Sequence, residues 1–332
     1  MDICVSQSDT PHTFNSKQQK SGRQDPSTSH PVHQLLKTKN GRNSHLQNQN
    51  LQQAELTKAN LAGANLEEAN LQSANLTNAN LTNANLKKAN LQNANLRGSD
   101  LRGADLSGAI LNGSNLTGAN LENADLKSAN LGCFSSQPTQ LNHANLKNAN
   151  LTRANLQGIS LHAANLTGAN LKEVDLSPHL DETNPTTITI VSHLIGANLS
   201  NTNLRRANLT SAKLEGANCE NANFKQAQLQ HTVLQNAHLM NAELSEVSLK
   251  FANLNQANLR GANLRMSNLE NSSLVAANLM NAKLEFARLV NLDLSSANLK
   301  GANWSQAELY DNIMQNVILP DGTIYQSTDL MP

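Results

Sequence analysis

Aromatic side chains are nearly missing from this chain: Phe, Trp and Tyr together make up 2% of its 332 residues. Domains of ordinary shape fill part of their core with rings, so this scarcity points to an interior too narrow to hold them. Cysteine is scarce too. Cys4, Cys133 and Cys219 are too few and too scattered for a disulfide framework or a metal motif. Net charge is absent, since 25 Lys+Arg offset 25 Asp+Glu. That removes the basic excess expected of a nucleic-acid-binding domain and argues equally against a strongly acidic surface. No run approaches ~18 apolar residues, so no membrane span is expected. The opening stretch MDICVSQSDTPHTFNSKQQK has no apolar core of a signal peptide, and a soluble cytoplasmic protein is the expectation.

What is present is leucine at every fifth residue. From Leu51 to Leu131 the series Leu56, Leu61, Leu66, Leu71, Leu76 continues without a miss. Two positions before nearly every leucine sits a small residue (Ala59, Ala64, Ala69), and one position before it sits Asn or Asp (Asn60, Asn65, Asp100, Asp105). The unit is A-(N/D)-L-x-x. On an α-helix five residues advance by roughly 500°, which scatters the leucines over every face. On a flat strand an odd period sends alternate leucines to opposite sides. All of them can face inward only if the chain turns once per repeat. Four turns then close a square coil, and the coils stack.

This tandem A-(N/D)-L-x-x pattern, running through most of residues 46–319, resembles the pentapeptide-repeat family, cyanobacterial members included. The resemblance implies an all-β solenoid, the right-handed quadrilateral β-helix. Roughly fifty repeats would make about twelve to thirteen coils, a rod of about 60 Å at the usual strand spacing.

Along the chain, residues 1–43 read as a disordered polar tail, with Val32 to Leu36 available for a short helix over the first coil. The first repeat block spans 44–176. Two residues after each leucine it carries Gly63, Gly98, Gly103 and Gly108, or Asn78, Asn83 and Asn93, residue types that accept the positive φ of a type II turn. A bulge over 132–140 keeps phase but loses the leucine expected at Ser136. Straight counting in twenties puts that position on the face of Leu76, Leu96, Leu116, Leu156 and Leu176. Leu176 and Leu194 are out of phase, so 177–193 is an inserted loop, with Thr186 to Val191 alternating like a short strand. The second block, 194–319, is looser. Cys219, Phe224, Trp304 and Met314 take leucine positions, and Phe224 and Trp304 fall on one face as core residues. Residues 320–332 form a closing cap or tail.

No nucleophile elbow, paired-carboxylate cleft, CxxC or HExxH occurs, so no enzyme and no cofactor are expected. His179, Asp181, Glu182 and His193 carry metal-ligand side chains without ligand spacing, and an ordinary exposed loop is the preferred reading. Several outward positions of the second block are large and apolar: Phe251, Met266, Met280 and Phe286, with Val275, Val290 and Tyr310. Met266 and Phe286 are twenty residues apart and should sit on neighbouring coils. A contact surface there favours a scaffold for protein–protein interaction, with an unidentified protein or a second copy bound through the C-terminal block. No nucleic-acid or membrane partner is expected. A regulatory role in transport or differentiation, known for some relatives, is the alternative. Mimicry of DNA towards gyrase would need an acidic face that balanced charge does not supply.

Overall fold

The computed structural model describes residues 31–133, 137–180 and 189–325. The tail expected over the first thirty residues, Phe134 and Ser136 of the bulge, Asp181 and Glu182 of the insert, and the end of the closing segment lie outside them.

Each repeat forms one side of a square coil. The N–H of Leu76 donates to the Asn95 carbonyl one coil further on at 2.7 Å, and the Asn95 N–H donates back to Ala74 at 2.9 Å. At the corner the Ala79 N–H closes a turn on the Leu76 carbonyl at 2.9 Å, with Asn78 at φ 56°. That is the left-handed turn position anticipated for Gly and Asn. It is also occupied by Lys88 (φ 52°) and Phe286 (φ 61°), so the coil imposes the conformation even on residues that resist it. The Asn before each leucine secures the turn: Asn75 Oδ1 accepts from the Thr77 N–H at 3.2 Å. Its amide can also reach along the stack, as when Asn85 Nδ2 donates to Asn65 Oδ1 at 3.1 Å.

Parallel bridges sort the coils into four faces. The first runs from Asn40 to Ile318, the second from His45 to Asn303, the third from Asn50 to Glu308 and the fourth from Glu55 to Ile313. The ladder thus begins at Asn40, a little before the boundary expected at Ser44. Ahead of it, α1 (Pro31–Thr38) lays fully buried Leu35 on the first coil. At the other end Ile318 pairs antiparallel with Ile324, folding the chain back over the last coil.

Parallel bridge partners are twenty residues apart except across two excursions, each of which shifts four successive pairs. Asn115 pairs with Gln140, and Ser160 pairs with His193. The first step loops out one repeat length, which corrects the expected face assignment. The Leu116 N–H donates to the Gln140 carbonyl at 2.7 Å, so Leu141 stacks on Leu116, while the Leu131 N–H donates to Asn155 at 2.9 Å and brings Leu156 over Leu131. An excursion of five residues preserves the phase of a five-residue repeat, so straight counting cannot distinguish an occupied side from a bypassed one. Leu131, Leu156 and Leu176 therefore share the third face, and both interruptions leave from the corner after it. Thr139 stitches the first: its hydroxyl accepts from the Gly113 N–H at 2.9 Å and lies 3.2 Å from the Leu111 carbonyl. In the second, β1 (His179–Leu180) and β2 (Thr189–Ile190) pair antiparallel over Gly158. A Cβ at Gly158 would sit 3.1 Å from the Ile190 carbonyl oxygen, so only glycine lets the hairpin pack so closely.

The interior is a column of Leu and Ala, its core leucines from Leu46 to Leu299 at no more than 3% exposure, with Ala54 in the early coils only partly buried. Where Ser or Thr takes the alanine position the hydroxyl is bonded, Ser99 to the Leu96 carbonyl at 2.7 Å for example. Phe224 is fully buried and Trp304 packs partly buried against the same core. They share the second face but lie four rungs apart, so each packs among aliphatics and not against the other. Cys219 is fully buried, and burial pushes its thiol up to about 12, the behaviour of a small apolar filler.

Candidate interaction surface

With the core filled, the positions left for chemistry are the outward residue of each face and the two residues of each corner. Met266 and Phe286 occupy the same place on consecutive rungs at the corner after the second face, 62% and 53% exposed. Phe251 lies at the corner after the third face and is 52% exposed, with its ring stacked on His231 at 5.0 Å and 3°. Met280 lies at the corner after the first face and is half-buried. The fold therefore joins Met266 to Phe286 and sends Phe251 and Met280 to other corners.

Val290 departs from expectation by being buried, at 3% exposure. It ends β3 (Arg288–Val290), which pairs in parallel with β4 (Glu308–Tyr310) and sets Tyr310 beside it. Here Leu292 fills an alanine position, and its N–H does not close the usual turn. It donates instead to Asn312 Oδ1 from the next coil at 2.8 Å, and Asn312 Nδ2 donates to the Leu289 carbonyl at 2.9 Å. Asn312 reads in the sequence as a failed alanine. In the coil it partners both the donor and the acceptor of the one missing turn bond. The signal was its position, twenty residues after Leu292; His231 and Phe251 have the same separation.

Charges along the outer surface are largely paired across coils. Glu173 meets Arg153 at 2.7 Å, Lys172 at 3.6 Å and Arg206 at 3.9 Å. The Arg153 hydrogen bond is the main cause that holds this carboxyl below its usual range, and Lys172 adds to it. Burial tends to raise Asp105, but bonds from the Ser107 hydroxyl and N–H, with Lys87 at 3.2 Å, leave it lowered. His193 is lowered, first by burial and then by the charge of Lys213. His179 sits on the hairpin and His193 on the fourth face. Among the described residues no group of three His, Cys, Asp or Glu is arranged to hold a metal. Two hollows among the described residues are notches between stacked corners. One, about 480 Å³, is lined by Thr82, Asn83, Arg102, Gly103, Glu122 and Asn123. It has no convergent acid, base or nucleophile set. Among the described residues no helix is long and apolar enough to cross a membrane.

The family model for pentapeptide repeats matches eight times, from residue 42 to residue 321. Among solved structures, HetL from the cyanobacterium Nostoc sp. strain PCC 7120, described as involved in heterocyst differentiation regulation, is 31% identical. That match covers 89% of this chain and 98% of HetL, with a TM-score of 0.23. Rfr23 from the cyanobacterium Cyanothece 51142 is 30% identical over 36% of this chain and 90% of its own, with a TM-score of 0.26. The full-length fluoroquinolone resistance protein QnrB1 is 18% identical over 80% of this chain and 91% of its own, with a TM-score of 0.16. No curated protein matches. Eight consecutive matches spread over nearly the whole ladder leave one conclusion: the chain belongs to the pentapeptide-repeat family.

Proposed function

We propose that this chain is a non-catalytic scaffold that binds a protein partner through side chains displayed along its rod. The observation that carries the reading is the filled interior. Among the described residues from Leu46 to Leu299 the coil is packed mainly with leucine and alanine, which puts recognition on the outside. On that outside, Met266 and Phe286 are large, exposed and adjacent, the kind of pair that anchors a contact. A stiff rod suits this role, because side chains held on a rigid ladder lose little freedom when a partner docks.

The test is affinity capture from native cells with the intact chain and with the M266K/F286K variant, circular dichroism serving as the folding control. The reading expects a protein retained by the intact chain and lost by the variant. Equal retention by both would remove Met266 and Phe286 as the anchor, and a purified chain that turned over a substrate would remove the scaffold.

A further inference from the structure

Charge is balanced over the chain, yet it is not balanced around the rod. Once the two register steps are included, the corner after the second face collects cations over seven consecutive coils, from the Asn85 rung to the Asn223 rung. Lys87, Lys88, Lys127, Arg153 and Lys172 stand there before the inserted loop, and Arg205, Arg206 and Lys225 continue the line after it. Glu173 is the one carboxylate at those corner positions, and Asp105 and Asp125 flank them on the face. The other corners of the same coils carry no such excess. After the first face, Arg102 and Lys147 offset Glu122 and Glu220; after the fourth, Arg97 offsets Glu215; after the third, the turn positions hold no charged residue.

The acids present do not quench the line. Glu173 is shared among three cations, and Lys87, Lys88 and Lys225 each meet one acid, at 3.2, 3.2 and 3.0 Å. Lys127 and Arg205 make no ion pair among the described residues. With rungs about 4.8 Å apart, neighbouring cations lie within a Debye length of one another, about 8 Å at physiological salt. Their repulsion is relieved when an anion docks. The next rung carries Ser245 and Glu246, the acid that pairs with Lys225, and beyond it the same corner carries Arg265 with Met266, then Glu285, paired with Arg265, with Phe286. From Lys87 to Phe286 the edge runs straight for about 43 Å.

We infer that this edge docks an extended acidic polypeptide segment bearing an apolar side chain at one end, the carboxylates lying along Lys87 to Lys225 and the apolar end meeting Met266 and Phe286. The inference rests on the scaffold reading and names its partner's chemistry. About thirteen extended residues would span the edge. A nucleic-acid duplex fits it less well. Its phosphates wind around the helix and leave a straight edge after a short crossing, and it offers no aliphatic match for Met266.

Fluorescence anisotropy on the full chain tests this with three labelled probes: an oligo-glutamate peptide ending in Leu-Leu, the same peptide without the leucines, and a short DNA duplex matched in charge. The leucine-ended peptide should bind tightest, with affinity falling as salt rises. Reversal of the two unpaired cations in K127E/R205E should weaken it by about tenfold or more. In M266S/F286S the two peptides should become equal while the salt dependence stays. Tighter binding of the duplex, or unchanged peptide binding by a folded K127E/R205E, overturns the inference. If capture is still lost in M266K/F286K while K127E/R205E changes nothing, the scaffold survives and only the acidic partner falls.

Discussion

The coils between Leu51 and Leu131 and those around Leu289 to Asn312 solve one packing problem in two ways. In the first stretch every corner closes on itself, as when the Ala79 N–H reaches Leu76 at 2.9 Å and the small side chain fits inside. In the second, Leu292 is too large for that turn, and Asn312 from the next coil supplies the bonds. The difference teaches that compensation runs along the column, one coil away. A residue that breaks the repeat should therefore be read together with the residue stacked on it.

The comparison can be broken at Asn312. Replacing it with alanine leaves the Leu292 N–H and the Leu289 carbonyl without partners, and should cost about 2 kcal/mol by denaturant titration. The same replacement at Asn316, a corner residue with φ 56°, should cost less, on the order of 1 kcal/mol from the strain of alanine at positive φ. Equal losses at the two sites would mean that Asn312 is no plug.

A second test uses the regular coils, where neighbours also interlock. A Cβ at Gly103 would come 2.4 Å from Asn83 Oδ1 of the coil below, whereas Gly216 has nothing within 4 Å. Both hold positive φ, at 65° and 62°. Asn83 is exposed and its amide can swing aside, so Gly103→Ala should cost only about 0.5 kcal/mol more than Gly216→Ala, beyond the backbone strain common to both. The N83A/G103A double variant should recover that excess, a coupling read by a double-mutant cycle.

The smallest effect is electrostatic. Burial and Lys213 lower His193 in the folded rod, so the unfolded chain binds the proton more readily. The neutral imidazole's contribution is whole above the unfolded value of about 6.5 and is lost as pH falls through the lowered folded value. The melting temperature should thus sag modestly on acidification, and His193→Gln should flatten the part of the curve due to this group.

Much of the fold was legible because the repeat encodes it locally. The leucine period, the alanine before it and the Gly or Asn at the turn each announce a local constraint, and the rod follows from their sum. Met266 and Phe286 could be paired for the same reason, since twenty residues separate neighbours where no register step intervenes. Val290 could not be placed, because its burial depends on Leu292 and Asn312. The cation edge was invisible. Lys127 and Arg153, one rung apart at the same corner, are joined through a five-residue excursion whose length equals the repeat and so leaves the leucine phase unmarked. A balanced total then concealed an uneven distribution.

That register step is the point on which the account turns, and a disulfide can read it. Stacked residues lie about 4.8 Å apart, within the reach of a disulfide. In a background with the native cysteines replaced, K127C/T152C should cross-link on mild oxidation, because the Ser128 N–H donates to the Thr152 carbonyl at 2.9 Å on the adjoining rung. K127C/K147C, twenty residues apart in sequence but on different faces, should stay reduced. Cross-linking of the second pair and not of the first would contradict the register step, and with it the line of cations along one edge of the rod.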